Sequence, residues 1–540
     1  MLINRGERTI KKPEPPLEVR EFLKVKIKKN NIFFVPKEIT HLFSLQVFCI
    51  EMLPTEKNRV FISVFLKWFI LMFTLLASVA VLLSFTHVSD QFHWLRIEYS
   101  DCNQGIKNSQ VSHNPNTALQ GGGGGGGGEE EDYSEKTNIS HILFGIGGSV
   151  KTWENRRHYT ELWWKQNITR GYVWLDEKPD SWLIESPPYK VSENCSNFGS
   201  NSAVRIARIV LESFKLGLKN VRWFVLGDDD TIFFTENLIS VLSKYDHNQM
   251  YYIGSNSESV EQDVLHSYNM AFGGGGFAIS YRLAFELAQN LDDCINRYPN
   301  LYGSDERISS CIADIGVPLT REVGFHQIDI RGDPYGLLAA HPVAPLVSLH
   351  HLDLVEPLFS NNTRLDSIKM LMDAYDMDPS RTLQQSVCYD LKRNWSVSIS
   401  WGYTVQIYPY LLSAKELCTP LQTFRTWRTW SENMFTFNVR PVKDDPCESP
   451  LVYFLDRVNE IGGQDETLST YKSYFDETRT KCDHSKYVTA MNVTKILVST
   501  SRMENNEWLK SPRRHCCEIK IRNSVDDKEK SVHIKINNSH

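Results

Sequence analysis

Apolar residues recur three and four apart from Asn201 to Leu218 ("NSAVRIARIVLESFKLGL"), which predicts a helix with Asn201 as its N-cap. The stretches "NRRHYTELWWKQ" (Asn155–Gln166) and "TENLISVLSKY" (Thr235–Tyr245) share that spacing. Between them lie short apolar blocks that read as strands: "HILFGIGGS" (His141–Ser149), "RGYVWLD" (Arg170–Asp176), "VRWFVLG" (Val221–Gly227) and "MYYIGS" (Met250–Ser255). Strands alternating with helices predict an α/β layer fold with a mostly parallel central sheet. Further on, "SVSISWGYTVQIYPYLL" (Ser396–Leu412) alternates with a period of two, and "TFRTWRTW" and "MFTFNVRP" also read as extended. A β-rich extension therefore follows the α/β part, with core the better assignment for Trp427 and Trp430 over a carbohydrate-contacting role. The last thirty residues are polar and charged, and are expected to be loosely ordered.

One apolar block is of another kind. Trp68–Phe85 runs 18 residues without a charge, and with Val60–Leu66 it forms a longer span broken only by Lys67. That length predicts a transmembrane helix, with Lys67 snorkelling near one end. Thirteen Lys or Arg lie in residues 1–67, but only Arg96 in the twenty residues after Phe85. The asymmetry predicts a single-pass, type II signal anchor with residues 1–59 as a cytosolic tail and the body across the membrane. A cleaved signal peptide does not fit a hydrophobic segment that starts some sixty residues in. Seven Asn-x-Ser/Thr sequons, at Asn138, Asn167, Asn194, Asn361, Asn394, Asn492 and Asn537, and ten of the eleven cysteines follow the span. Both distributions suit an oxidising lumen, with disulfides of unspecified pairing. Residues 87–137, with the run Gly121–Gly128 and the acids Glu129–Asp132, read as a flexible stem. The expected divisions are then 138–360 for the α/β domain, 361–515 for the extension and 516–540 for a tail.

Bulk composition adds little. The chain is 23% charged and 41% hydrophobic with a net charge of −6, which offers no basis for a nucleic-acid partner.

The chemistry concentrates in "WFVLGDDDTIFF" (Trp223–Phe234), where a buried-type strand ends in Asp228, Asp229 and Asp230. Strand residues alternate in direction, so Asp228 and Asp230 share a face while Asp229 points away. That pair suits a hard divalent cation, whose charge cancels the repulsion between the carboxylates. The plainer reading is an acidic turn ahead of the helix at Thr235, which accounts for one aspartate better than for three. Ligands of such sheets gather beyond the carboxyl ends of the strands, where Gly147, Gly148 and Asp176 also fall. Four glycines, Gly273–Gly276, permit close backbone approach or a tight turn before a helix.

"WFVLGDDDTIFFTENLISVL" resembles the metal-binding segment of Fringe-related β-1,3-glycosyltransferases, and "AFGGGGFAISYRLAFELA" resembles their Gly-rich loop and following helix. "GFHQIDIRGDPYGLLAAHPVAPLVSLHHLD" resembles more narrowly a plant branch of Fringe-like proteins long catalogued as a domain of unknown function. The resemblance runs from about Ile139 to about Phe359. It implies a GT-A-like, Rossmann-type fold, a UDP-sugar donor, a glycan or glycoprotein acceptor and Mn²⁺ (or Mg²⁺), in the Golgi membrane. Carried onto this chain, Asp228, Asp229 and Asp230 form the metal and diphosphate site, with Asp230 the most direct ligand. Gly147 and Asp176 lie about the nucleoside, Arg156 or Arg157 reaches its phosphates, and Gly274 and Gly275 approach the donor. A histidine completes the metal site, with His350 preferred, His326 second and His341 behind them. The catalytic acid pair falls on Asp305 with Glu306 beside it in "LYGSDERISSCI", although Ser304 stands where relatives often carry an acid. A helix starting at Asp305 is expected to lower its pKa and favour the base form; its other reading is a helix cap. The implied reaction inverts the donor's anomeric carbon, with a β-1,3 bond. Two other functions stand beside it. One is a haloacid-dehalogenase-type phosphatase, which also ends a strand in Asp-x-Asp but wants it on its first strand. The other is a carbohydrate-binding relative without turnover, which Ser304 favours.

Overall fold

A computed structural model describes residues 72, 136–194, 201–427, 438–462, 465–474, 482–510, 514–521 and 531–537. The predicted cytosolic tail, the predicted span at 60–86 and the predicted stem lie outside the described residues apart from Met72, Lys136 and Thr137. Among the described residues no helix is long and apolar enough to cross a membrane.

The first layer is a seven-stranded sheet. In chain order its strands are β1 (Ile142–Gly147), β2 (Gly171–Leu175), β3 (Tyr189–Val191), β4 (Trp223–Asp228), β6 (Tyr252–Gly254), β7 (Phe277–Ser280) and β8 (Leu319–Arg321). They lie side by side as β3-β2-β1-β4-β7-β6-β8. β1 runs parallel to β2 and β4, β2 to β3, and β6 to β8. β7 is antiparallel to both its neighbours, so the expected parallel sheet is a mixed one. Phe277 at the start of β7 pairs with Leu226 near the end of β4. This reversal brings the glycine run Gly273–Gly276 to the edge where β4 delivers its aspartates. Gly147 pairs with both Trp174 and Asp228, so the ends of β1, β2 and β4 are level.

Each strand feeds two cores because its side chains alternate in direction. On one face Leu143, Phe224, Leu226 and Ile279 pack under α3 (Ile209–Lys215), α6 (Tyr281–Arg297) and α7 (Ser304–Ile315). The helix expected over 201–218 is resolved as two, α2 (Asn201–Ala207) and α3, meeting at Arg208, and Asn201 is a helical residue and not a cap. Buried Arg208 makes ion pairs with Glu193, Glu212 and Asp292. On the other face Phe144, Ile146 and Val225 join α1 (Val150–Glu161), the strand β5 (Ile232–Phe233) and α4 (Thr235–Leu242). α1 begins earlier than the helical spacing predicted, because Ser149 caps it by accepting from the Lys151 amide.

That second core does not stop at the α/β layer. It continues through Leu346, Leu349 and Phe359 into Trp395, Val397, Ile399, Val405, Ile407, Ile496 and Ile534 of an eight-stranded sheet. The expected β-rich extension is this sheet, ordered 385–390, 395–400, 404–408, 451–461, 466–473, 495–501, 531–537 and 516–521. The polar tail expected from 516 onward contributes two of its strands. In "SVHIKIN" Val532, Ile534 and Ile536 are buried while charged or polar neighbours face outward, and average polarity hides that alternation. Disulfides join Cys294 to Cys311, Cys388 to Cys517 and Cys447 to Cys482.

Candidate active site

The three aspartates follow five fully buried residues of β4, so their position is set by the sheet. The turn after them is locked by Thr231, whose hydroxyl accepts from the Asp228 amide (2.8 Å) and donates to the Gly274 carbonyl (2.7 Å). Thr160 donates to the Asp229 carbonyl and the Trp163 indole to the Thr231 carbonyl, at 3.0 Å each. The side chains diverge as strand alternation requires. Asp229 points toward α1, where Thr152 (2.9 Å) and Arg156 (3.2 Å) hold it. Asp228 and Asp230 face His350, which follows the two-residue strand β10 (Ser348–Leu349) paired antiparallel to β5. His350 Nε2 lies 3.1 Å from Asp230 and 3.9 Å from Asp228.

One donor atom from each of Asp228, Asp230 and His350 falls within 4.8 Å of the other two, a grouping that suits a metal ion. Both Asp230 oxygens and His350 Nδ1 are buried without a hydrogen bond. Two carboxylates and an imidazole are donors that a manganese or magnesium ion accepts, and among the described residues the buried Asp230 oxygens are met only by the charges of His350 and Arg156. The residues present therefore fit a divalent cation.

The electrostatics follow from crowding. Burial pushes Asp228 up to about 7, with Asp230 and Asp229 adding to the push and His350 opposing it. Burial would also raise Asp230, but His350 and Arg156 hold it far below the usual carboxylate range. His350 would lose its proton on burial, yet Asp230 and Asp228 raise it to about 9. Arg156 sits 3.3 Å from Asp230 and 3.1 Å from Asp353, so one guanidinium ties α1 to the aspartates and to the loop after β10.

Asp305 lies across the glycine run. It is the second residue of α7, behind the cap Gly303, and it accepts from the Gly273 amide (3.1 Å) and the Glu306 amide (2.9 Å). It is close enough to Asp228 to raise that residue's pKa. The expected lowering of its own pKa is reversed: burial raises it and outweighs the two amide donors. Glu306 is engaged elsewhere, accepting from the Gly303 amide and pairing with His266 at 2.7 Å.

Several expected residues are placed away from the cluster. Arg157 lies one residue round α1 and pairs with Glu161 and Glu154. His326 sits between Glu258 (2.7 Å) and His341 (2.9 Å), so it is no part of the three-residue grouping. Asp176 accepts from the Ser149 hydroxyl and the Val150 amide, fastening β2 to the start of α1. A β-carbon on Gly147 would meet the end of the Ile206 side chain, whereas Gly274 stays beside the cluster, where close packing against the His350 ring requires a glycine. Gly275 donates its amide to Gln327.

The structure adds residues that sequence reasoning passed over. Asp353 was visible in "SLHHLD" but is defined as a partner only by Arg156. His351, with φ of 55°, pairs with Asp329 at 3.0 Å and stacks on Trp427, ring centroids 4.6 Å apart. Trp427 is thus a half-buried wall of the site and not a core residue, with Arg331 on its ring as well. Trp430 lies outside the described residues.

Comparison with known proteins adds a family likeness to this geometry. A family described as Fringe-like matches residues 137–332, and one described as a protein of unknown function, DUF604, matches 262–517. Over residues 137–332 the chain is similar to the Fringe-like family. Among its Fringe-like relatives, the zebrafish (Danio rerio) β-1,3-N-acetylglucosaminyltransferase lunatic fringe is 27% identical over 31% of this chain and 48% of its own. A mouse (Mus musculus) β-1,3-glucosyltransferase is 30% identical over 27% of this chain and 29% of its own. The chain thus spans less than half the length of each of these relatives. Among solved structures, an apo-form glycosyltransferase of Streptococcus pneumoniae TIGR4 overlaps 35% of this chain and 48% of its own at 13% identity, with a TM-score of 0.24. Overlap that small carries no weight here.

Proposed function

We propose that this chain transfers a hexose from a UDP-sugar to a glycan or glycoprotein acceptor, with Mn²⁺ or Mg²⁺ held by Asp228, Asp230 and His350. The observation that carries the reading is the buried carboxylate of Asp230, gathered with a second carboxylate and an imidazole one glycine run away from Asp305. When bound, a divalent ion supplies positive charge to a departing diphosphate.

The chain's own residues divide the remaining tasks. Arg156 keeps Asp230 ionised and fixes the loop that carries His350. Thr152 and Arg156 turn Asp229 away, so that two carboxylates and not three face the ligand. Asp305 is the base that takes the acceptor hydroxyl's proton, and its raised pKa strengthens it for that role. Glu306 positions the start of α7 through Gly303 and His266. Displacement by that hydroxyl inverts the anomeric carbon, and the family resemblance favours a β-1,3 bond. We place the protein in the Golgi membrane as a type II single-pass enzyme, on the hydrophobic span at 60–86 and the basic residues before it.

A phosphatase of the haloacid-dehalogenase type fits less well. Three strands precede β4, and the Thr231 hydroxyl is committed to the Asp228 amide and the Gly274 carbonyl. The deciding experiment measures UDP release from a panel of UDP-sugars with Mn²⁺, using the full chain and its Asp230→Asn variant. Metal-dependent release by the wild type alone supports transfer. Binding of donor without release identifies a carbohydrate-binding relative, and phosphate-ester hydrolysis with no response to UDP-sugars identifies the phosphatase.

A further inference from the structure

A cavity of about 800 Å³ lies away from the aspartates. It opens where the loops after β9 (Ile330–Gly332) and β10 meet the eight-stranded sheet, and a volume of that order holds a ligand of several rings. Tyr335, Phe454 and Tyr474 form one wall, their rings meeting edge to face at 5.7 and 5.6 Å. Two carboxylates, Asp333 and Glu356, stand on its rim, and no lysine or arginine is among its described lining residues. Glu356 is exposed, and its carboxylate makes no hydrogen bond or ion pair among the described residues.

These features select a ligand chemistry. Carboxylates without cations repel nucleotides and sialylated or sulfated sugars, and they accept hydrogen bonds from neighbouring hydroxyls. Tyrosine and phenylalanine faces cover the C–H surfaces of pyranose rings and leave hydroxyl edges for polar partners. The cavity and the cluster are also linked along the chain. Asp353, which pairs with Arg156, lies three residues before Glu356, and the Glu356 amide donates to the Gly332 carbonyl at 2.9 Å. Six residues from His350 to Glu356 reach at most about 22 Å when fully extended, so one chain of linked sugars can engage both places.

We propose that this cavity binds a neutral oligosaccharide, the outer arm of the acceptor whose end is placed at Asp305. Assigning the arm to an acceptor rests on the transferase reading; the binding itself does not. The test is titration calorimetry of the full chain with neutral and sialylated tetra- to hexasaccharides, repeated for Glu356→Gln, Tyr474→Ala, Asn361→Gln and Asp230→Asn. The expected result is saturable binding of a neutral probe, at least tenfold weaker for Tyr474→Ala and for Glu356→Gln, and unchanged for Asp230→Asn and Asn361→Gln. Sialylated probes should bind more weakly than neutral ones. No saturable binding by the wild type overturns the proposal, as does binding that Asp230→Asn abolishes and Tyr474→Ala retains. Binding that appears only in Asn361→Gln overturns the assignment to an acceptor, because a sugar attached at that sequon on the cavity wall would then be the occupant.

Discussion

Gly274→Ala offers a perturbation of a single methyl group with a calculable target. A β-carbon there would lie under 3.0 Å from three atoms of the His350 ring, whereas ordinary contact begins at 3.4 Å. The backbone at Gly274 is not left-handed, unlike Gly276 with φ of 78°, so the residue change itself introduces no conformational strain. The ring has to retreat by about 1 Å or more in a close-packed interior, at a cost of roughly 1–3 kcal/mol for overpacking. Nε2 starts 3.1 Å from Asp230, and a shift of that size takes it out of the shared ligand position. Displacing a ligand this way lowers metal affinity by about 10–100-fold, and misplacement by an ångström lowers turnover by about 100-fold. The control is adjacent: a β-carbon on Gly273 meets Asp305 at 3.6 Å, an ordinary contact. Free Mn²⁺ measured by electron paramagnetic resonance, with circular dichroism to check folding, reads both variants. If Gly274→Ala binds manganese as the wild type does, or if Gly273→Ala weakens binding as much, the assignment of His350 fails.

Three further outcomes follow from the same geometry. His350 keeps its proton up to about pH 9, so the apparent manganese affinity should climb about tenfold per pH unit from 7 to 9, and a flat titration would contradict its role. Glu212 is pushed by burial up to about 7 from an ordinary 4.5, so the folded protein holds a proton that the unfolded chain has lost. Stability should therefore fall as pH rises from 4.5 to 7, by up to about 3 kcal/mol, and Glu212→Gln should flatten that slope in urea unfolding. Cys294 and Cys311, seventeen residues apart, tie α6 to α7; replacing both with serine should cost about 3 kcal/mol in thermal melts and reduce turnover through Asp305.

Much of this site was legible beforehand because strand alternation is a strict rule. It assigned Asp228 and Asp230 to one face and Asp229 to the other, as the structure shows. The reversal of β7 was not legible, since Phe277–Ser280 is equally apolar in either direction and its sense depends on the glycine turn before it. Helical spacing did not separate Arg156 from Arg157 either; only the register of α1 against β4 decides which of two neighbours meets the aspartates. The pKa of Asp305 was misjudged because a helix terminus is visible in a sequence and the extent of burial is not. His326 and His350 looked alike as isolated histidines, and the pairing of β10 with β5 sets them apart.

The apolar interior shared by the two sheets bears on how this protein can be handled. Anyone trimming it to a minimal soluble enzyme at residue 360 would strip the cover from Leu346, Leu349 and Phe359 and leave a wet, sticky wound behind the catalytic loops. The far strands, including 531–537 almost at the end of the chain, contribute Val532, Ile534 and Ile536 to that same interior. Shortening the protein from that end should cost solubility before it costs chemistry.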